Sequence, residues 1–418
     1  MSVSFEKIRN TYHAYPRAFW IYNVVVFIDR LGGFMLYPFF ALYLTQKFNI
    51  GMTTVGGIFV IFSASGFVGS ALGGALTDRV GRKPVILFSL IFSALSALGM
   101  GLAPTLQLFV LIAVLVGTLA DIGRPAHEAV VADLLPPEKR AEGYGIIRVI
   151  FNLAVVIAPA IAGFLIARSY LLLFIVDMII SLIAAAVVFL SLPETKPKSH
   201  AESKPESISQ TFGGYGRVYR DAPFMAFILV CVMMTLVYMN MNTTLGVFLR
   251  DFHGIPESGY GLLISLNAVM VVLFQFWLTR RLEKYKPLVM MCLGTALYGI
   301  GFAAYGFINS YLMFTLAMVV ITIGEMIIAP FQQAMVASFA PEAMRGRYMA
   351  VAGLSWGMAF AVGPYFAGIL MDGPNPNWLW YACGLMGMLA AFGYYLLDRI
   401  HHSPARIDTE SVVPVNLG

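Results

Sequence analysis

The sequence predicts an all-α membrane protein of twelve transmembrane helices, arranged as two six-helix halves with both termini in the cytoplasm. Three observations support this fold class: a strongly apolar composition, apolar runs of membrane-spanning length along the whole chain, and an internal repeat. Of the 418 residues, 59% are hydrophobic and only 12% are charged, and the mean hydropathy is +0.79. These values lie outside the range of soluble domains, so we expect the lipid bilayer as the solvent of this chain.

Apolar runs of about twenty residues are long enough to cross a hydrocarbon core of ~30 Å. We number them spans 1 to 12 in chain order. They lie near residues 17–46, 52–77, 84–103, 106–135, 141–167, 170–191, 223–249, 257–279, 287–308, 311–338, 344–370 and 378–400. The segment before span 1 is polar, and span 1 has no small-residue cleavage site after it, so we expect this span to be retained.

The distribution of lysine and arginine predicts the orientation, because positively charged loops stay on the cytoplasmic side. With the N-terminus inside, 21 of the 27 basic residues lie in the tails and the even-numbered loops. Only Lys47, Arg168 and Arg250 fall on the outer side. The residues responsible for the net charge of +5 therefore lie in short loops and do not form an exposed basic face. Because nucleic-acid binding needs such a face, we expect no nucleic-acid partner.

One long hydrophilic segment, residues 193–222, divides the chain after six spans. Its Lys, Ser, Glu, Pro and Gly content is typical of a linker, and about thirty polar residues are too few to bury a core. We therefore predict an N-terminal half at 1–192, a cytoplasmic linker at 193–222, a C-terminal half at 223–400 and a disordered cytoplasmic tail at 401–418.

The two halves resemble each other at a constant offset of 205 residues. This shift places Pro125 on Pro330 and Pro159 on Pro364, and it also superimposes Pro136, Arg140 and Gly163 on identical residues of the second half. A duplication of six helices follows from this repeat. In transporters built from such repeats, the substrate site lies near the bilayer midplane between them.

The loop after span 2 follows the pattern G-x-x-x-D-R-x-G-R-K, which closely resembles the loop signature of the major facilitator superfamily. The residues that carry the pattern are Gly74, Asp78, Arg79, Gly81, Arg82 and Lys83. Small residues allow close helix approach and tight turns, so we expect this of Gly74 and Gly81. The resemblance implies that Asp78 lies against the N-terminal end of span 11 and latches the cytoplasmic side. Asp133 ends span 4 at the cytoplasmic face, so we expect it to bridge to Arg82 and reinforce the latch.

Spans 5 and 11 carry Ala158-Pro159 and Gly363-Pro364, which resemble the Gly-Pro motif of drug:proton antiporters in this superfamily. Span 1 contains Asp29-Arg30-Leu-Gly-Gly, similar to another element of those antiporters. The match in span 5 is partial, because alanine stands where the family has glycine. The resemblance implies a bacterial multidrug:proton antiporter.

Ionisable residues inside a span are costly and normally face a cavity or a partner, so each is a candidate site. Span 4 carries Asp121, Arg124 and Glu128 at helical spacings that allow Arg124 to pair with both acids. Two interpretations remain: Arg124 neutralises two acids in a packing role, or the group is a proton or substrate site. Arg124 also resembles the arginine of span 4 that the family associates with proton coupling.

Glu325 is the only acid in the middle of a span of the second half, and no basic residue lies within helical reach of it in its own span. Burial raises the pKa of a carboxyl group, so Glu325 is the leading candidate for a proton carrier, and Asp29 is a second one. The alternative is a permanently protonated acid with a hydrogen bond to a neighbouring helix. Asp177 lies near the outer half of span 6, and we expect it to be peripheral.

Polar and aromatic residues within spans are candidates for the lining of a substrate cavity. Those we select are Tyr37, Arg148, Asn152, Tyr238, Asn242, Gln332 and Trp356. Several methionines in span 7 would suit a permissive apolar pocket, although methionine is also ordinary packing.

The sequence thus predicts proton-coupled export of lipophilic or cationic small molecules by alternating access. The alternatives are a proton-linked exporter or flippase of a specific metabolite or lipid, and a non-transporting receptor or scaffold. An enzyme is not expected, because the chain has no phosphate-binding loop, nucleophile motif or metal-ligand spacing. We expect no cofactor beyond the proton gradient, an amphipathic substrate, a monomer, and residence in the bacterial inner membrane.

Overall fold

The computed structural model describes residues 14–196, 215–341 and 344–400. Within these residues, twelve helices are long and apolar enough to cross a membrane, so the predicted number of spans is confirmed. We label them α1 to α12, and α1 and α4 each contain a short interruption. Their bounds are Arg17–Phe48, Met52–Val80, Arg82–Leu102, Leu106–Leu134, Pro137–Ile166, Tyr170–Ser191, Ala222–Thr243, Glu257–Leu282, Pro287–Ala304, Tyr311–Phe339, Arg345–Met371 and Asn377–Ile400. The predicted tail at 401–418 and most of the predicted linker lie outside the described residues.

Local sequence explains where several helices begin. Hydroxyl side chains cap two of them: Thr105 accepts from Leu108 N at 3.3 Å before α4, and Ser169 accepts from Leu171 N at 3.2 Å before α6. Pro287 occupies the first turn of α9, where a missing N–H costs nothing. These caps satisfy backbone groups that a helix cannot pair internally.

Three helical segments depart from regular geometry in ways that bear on function. In α1, a turn of 3₁₀ helix at Tyr37–Phe39 separates Arg17–Leu36 from Phe40–Phe48. In α4, a 3₁₀ turn at Asp121–Gly123 precedes the segment Arg124–Leu134. Predicted span 7 is divided, because α7 ends at Thr243 and a separate helix, Leu245–His253, follows it.

We call the end of the helices at which α1 passes into α2 the distal end, and the opposite end, at which α2 passes into α3, the proximal end. The charge distribution predicts that the distal end faces outward.

Contacts divide the chain into two compact units. Unit 1 comprises described residues of Met1–Pro205, Met239–Val272 and Ala361–Pro376, and unit 2 comprises those of Glu206–Tyr238, Leu273–Phe360 and Asn377–Gly418.

Each unit has its own apolar core. In unit 1, Phe19 of α1, Ile86 of α3 and Val188 of α6 are fully buried in one cluster near the proximal end. In unit 2, Trp380 of α12 is fully buried and its ring contacts Tyr305 edge-on at 5.2 Å. Such burial fixes the helices that carry the charged residues described next.

Candidate functional site

The predicted motif loop joins α2 to α3 at the proximal end. Gly81 has a φ of 110°, a backbone conformation that favours glycine. The Arg82 side chain is buried, and its Nε donates to Asp133 Oδ2 at 2.8 Å, so the predicted contact with Asp133 is present. Asp78 is largely exposed, with its Oδ1 3.5 Å from Arg82 Nη1. The role of these residues in a conformational switch stays a prediction.

Gly74 does not have the packing role that the sequence predicts. Among the described residues, nothing lies within 4 Å of the position that a Cβ on Gly74 would occupy. The close approach of α2 to α4 instead occurs at Gly69 and Gly73, where a Cβ would overlap Thr118 O and Ile122 O respectively. The contact face of α2 is thus one residue away from the expected one.

A residue that the sequence analysis missed supports the motif loop from the end of α6. The Glu194 carboxylate accepts hydrogen bonds from the backbone N–H groups of Arg82 at 2.9 Å, Lys83 at 3.2 Å and Lys196 at 2.8 Å. Although burial opposes it, these N–H donors hold the pKa of Glu194 below its ordinary value. Glu194 therefore caps α3 as an anion, and the Lys196 side chain donates to Arg79 O at 2.9 Å.

The charged residues of α4 pair only in part as predicted. Arg124 Nε lies 3.7 Å from Glu128 Oε1, and both side chains are more than half exposed. Asp121 has no ion pair within the described residues and keeps only longer-range electrostatic interactions with Arg124 and Arg30. The 3₁₀ turn that begins at Asp121 explains this difference, because it moves Asp121 off the face of Arg124 and toward α2, where a Cβ on Gly66 would overlap it.

Helix α1 contacts the same segment of α4 through a tyrosine. Tyr22 Oη donates to His127 O at 2.7 Å and lies 3.2 Å from His127 Nδ1. About two turns further along α1, Asp29 and Arg30 are 3.9 Å apart, and the Asp29 side chain is 27% exposed. Asp29 is thus accessible and not sealed within the helices.

Asp177 is not peripheral, contrary to the sequence-based expectation. The residue is 5% exposed, and a Cβ on Gly32 of α1 would overlap its carboxylate. The sequence could not reveal this position, because only the packing of α6 on α1 brings the acid opposite a glycine.

Glu325 is half-buried in α10, within unit 2. Its neighbour Gly324 packs so tightly on α9 that a Cβ there would lie 2.6 Å from Gly294 O. Tyr298 of α9 is buried and interacts electrostatically with Glu325. At the next residue of α10, Gln275 of α8 donates to Met326 O at 2.9 Å. Three helices of unit 2 therefore converge at Glu325.

The predicted cavity residues occupy different environments. Arg148, Asn152 and Trp356 are exposed, whereas Tyr37, Tyr238, Asn242 and Gln332 are half-buried. Gln332 forms a side-chain hydrogen bond with the Cys231 thiol, and the ring of Tyr238 lies 6.3 Å from that of Tyr298. The hydrogen bond with Cys231 gives Gln332 a packing role within unit 2. The assignment of the set to substrate binding stays a prediction.

At the distal end, unit 1 contains contacts between segments far apart in sequence that the sequence analysis did not anticipate. The Asp372 carboxylate, at the end of α11, accepts from Met52 N and Thr53 N at 2.8 Å each, at the N-terminus of α2. Arg250 donates to Leu42 O at 3.0 Å and to Thr45 Oγ1 at 2.9 Å in α1.

Further contacts of the same kind close this end. Tyr170 of α6 donates to Glu257 Oε1 of α8 at 3.1 Å. A Cβ on Gly56 would lie 2.5 Å from Tyr365 N, and one on Gly368 would overlap the Met52 backbone, so α2 and α11 touch along their main chains. These segments surround an open cavity of about 560 Å³ whose lining includes Gln46, Arg250, Asp251 and Asp372.

A family model described as Major Facilitator Superfamily matches residues 23–354 and 239–415. The chain belongs to the major facilitator superfamily. It is a membrane transporter and not an enzyme, and both predictions of the sequence analysis are thereby confirmed.

The relatives cover most of the chain at low identity. The uncharacterized MFS-type transporter YhjO of Bacillus subtilis is 24% identical over 416 residues, which are 97% of this chain and 99% of that protein. A Na(+), Li(+), K(+)/H(+) antiporter of Planococcus maritimus is 25% identical, over 81% of this chain and 86% of its own. The multidrug resistance protein MdtH of Shigella flexneri is 23% identical, over 86% and 88%.

Solved structures agree with this fold. The nucleoside transporter NupG, in a mutant form, superimposes with a TM-score of 0.76 at 13% identity, over 91% of this chain and all of that one. A bacterial homologue of the lysosomal transporter Spinster, in an inward-facing and unoccupied conformation, gives 0.73 at 15% identity, over 91% and 96%. At these identities the similarity establishes the fold alone.

Proposed function

We propose that this transporter is a proton-coupled antiporter that exports lipophilic or cationic small molecules by alternating access. The observation that carries the proposal is the presence of acidic side chains within membrane helices of both units. Asp29, Asp121 and Glu325 lie in α1, α4 and α10, and each is partly accessible and not sealed. An acid at such a depth is costly unless it binds a proton or a cation, so it is suited to coupling.

The electrochemical gradient supplies enough energy for this task. One proton moving inward through a membrane potential of 100 mV yields about 2.3 kcal/mol, which corresponds to roughly a fifty-fold concentration gradient of an uncharged substrate at ~1.36 kcal/mol per decade. Exchange of one proton for one monovalent cation moves no net charge, so the pH gradient drives the export of such a cation. The similarity to MdtH, a multidrug resistance protein, supports the assignment. In this scheme the distal end faces outward, and the protein resides as a monomer in the inner membrane of a bacterium.

Exchange of alkali cations for protons is a second candidate, favoured by the Planococcus relative, which is named as such an antiporter. The acids within the spans would then bind the metal cation and the proton in turn. Export of a specific metabolite or lipid uses the same architecture and differs only in the substrate.

The test uses purified protein in proteoliposomes with a pH indicator. Adding the lipophilic cation tetraphenylphosphonium, or in a parallel experiment Na⁺, should release protons from the transporter. Glu325→Gln should abolish the release, because the amide cannot ionise. The matched control is Glu283→Gln, which removes an exposed acid beyond the end of α8. Proton release only with Na⁺ would establish the second candidate, and release with neither ligand would contradict proton coupling.

A further inference from the structure

Asp177 of α6 is a buried acid for which the proposed function has assigned no role. It is the eighth residue of Tyr170–Ser191, about 10 Å from the distal end at 1.5 Å per residue, and it is 5% exposed. Within the described residues its carboxyl group has no hydrogen bond and no ion pair. A buried ionised carboxylate without a donor costs several kcal/mol, so the carboxyl carries its proton in this conformation.

The carboxyl group is in direct contact with α1. A Cβ on Gly32 would overlap Asp177 Oδ1, and it would lie 3.4 Å from Ile180 Cγ2. The absence of a side chain at Gly32 therefore lets the two helices approach. Asp29 lies one turn earlier on α1, close enough to repel Asp177 in its ionised form. Loss of the proton would place two negative charges at this contact.

The charged groups around Asp177 offer it little compensation. Helix α1 brings Asp29 and Arg30, which lie 3.9 Å apart. The charged residues of α3 lie only at its proximal beginning. Those of α5 all lie at or before Arg148, and by helix rise Arg148 is roughly 16 Å nearer the proximal end than Asp177 is. Lys47, further along α1, donates instead to Gly101 O at 2.7 Å and to Tyr43 Oη at 2.8 Å, so no cation forms a salt bridge with Asp177 among the described residues.

The same helix α1 carries contacts that close the distal end of unit 1. Beyond Gly32, α1 passes through the 3₁₀ turn Tyr37–Phe39 and continues to Leu42 and Thr45, whose oxygens accept from Arg250. A 3₁₀ turn within a helix is a natural hinge. Displacement of α1 from α6 at Gly32 would therefore change the position of the segment that Arg250 holds.

We propose that Asp177 is a proton-binding residue whose neutral form lets α1 lie against α6, and whose ionisation separates these helices and opens the distal end. This inference rests on the proposed function and names a further residue for it. A proton arriving from outside would bind Asp177 while the distal end is open and then favour closure. That order is the one by which an inward proton gradient would drive export.

The test measures access to the distal cavity and requires no transport. In a background with Cys231, Cys292 and Cys383 replaced by serine, Val247→Cys places a thiol in the lining of that cavity, at a position that is 2% exposed in this conformation. The rate of labelling by a membrane-impermeant maleimide is measured from mildly acidic to mildly alkaline pH. Each rate is divided by the rate for the same protein unfolded in detergent, which removes the pH dependence of the thiol itself.

With Asp177 present, the normalised rate should rise with pH by up to about tenfold per unit, the limit for a single linked proton. Asp177→Asn, which keeps the shape of a neutral carboxyl group, should give a low rate at every pH. Gly32→Ala should raise the rate at low pH, because its methyl group would overlap Asp177 Oδ1 and displace the neutral carboxyl group from its contact with α1. Glu283→Gln, the matched control, should keep the rise.

Two results would separate the inference from the proposed function. A rise with pH that persists in Asp177→Asn, or a rate that is flat with Asp177 present, overturns the role of Asp177 even where proton release on substrate addition is intact. Conversely, absence of that proton release in the unsubstituted protein overturns the proposed function, whatever the labelling shows.

Discussion

Removal of the Asp372 carboxylate should loosen the distal end of unit 1 by a calculable amount. The carboxylate accepts two hydrogen bonds of 2.8 Å from Met52 N and Thr53 N at the start of α2. An N-terminal cap is worth about 0.5–2 kcal/mol, and a negative charge at a helix N-terminus adds about 0.3–1 kcal/mol. Because Asp372 is exposed and partly screened, we take ~1.4 kcal/mol, which is a tenfold shift of the equilibrium between closed and open distal ends.

The assay is maleimide labelling of Val247→Cys, a buried position in the lining of the cavity beside Asp372. Asp372→Ala should raise the labelling rate about tenfold, and Asp372→Asn, which keeps one acceptor oxygen without the charge, should raise it by about threefold. Glu283→Gln is the matched control, because it removes an exposed acid beyond the end of α8 that has no part in the contacts of the distal end. An unchanged rate in Asp372→Ala, or one equal to that of the control, would refute the reasoning.

Two further predictions concern the motif loop at the proximal end. Asp133→Ala should lower the free energy of unfolding in detergent by about 3 kcal/mol, because it leaves the buried Arg82 guanidinium without its partner at 2.8 Å. The double variant Arg82→Met with Asp133→Leu should recover most of this loss. An Asp133→Ala variant as stable as the unsubstituted protein would contradict this prediction. Glu194 has a depressed pKa in the folded protein, so its contribution to stability is present above its ordinary pKa of 4.5 and is lost as the pH falls below that value. The thermal unfolding midpoint therefore falls in acid, and Glu194→Gln should remove the part of this fall that Glu194 causes. An identical pH profile of the midpoint in Glu194→Gln would count against the cap on α3.

The number and positions of the spans could be predicted because hydrophobic length is a local property of the sequence. Span 6, predicted at 170–191, coincides with Tyr170–Ser191. Span 7 was predicted to run to residue 249, whereas α7 ends at Thr243 and a separate helix, Leu245–His253, begins after Thr244. Hydropathy does not register this break, since the apolar run continues through it to Leu249.

The candidate site could be predicted only where a motif or a helical spacing specified it. The contact of Arg82 with Asp133 was anticipated, and the pairing of Arg124 with Glu128 followed from their spacing of four residues. The roles of Asp372 and Asp177 could not be found in this way. Each depends on a helix packing against another that is distant in sequence, and a lone aspartate near a span end gives no signal of its partner.

The central claim is that transport is coupled to protons, and the most direct measurement is the substrate flux driven by a proton gradient alone. Proteoliposomes containing the unsubstituted protein and loaded with tetraphenylphosphonium would be placed under an imposed pH gradient, with the membrane potential clamped to zero. We predict that the flux of the cation against its own gradient reverses direction when the pH gradient is reversed, and that it stops in Glu325→Gln. A flux that follows only the gradient of the cation, whatever the direction of the pH gradient, would contradict the account.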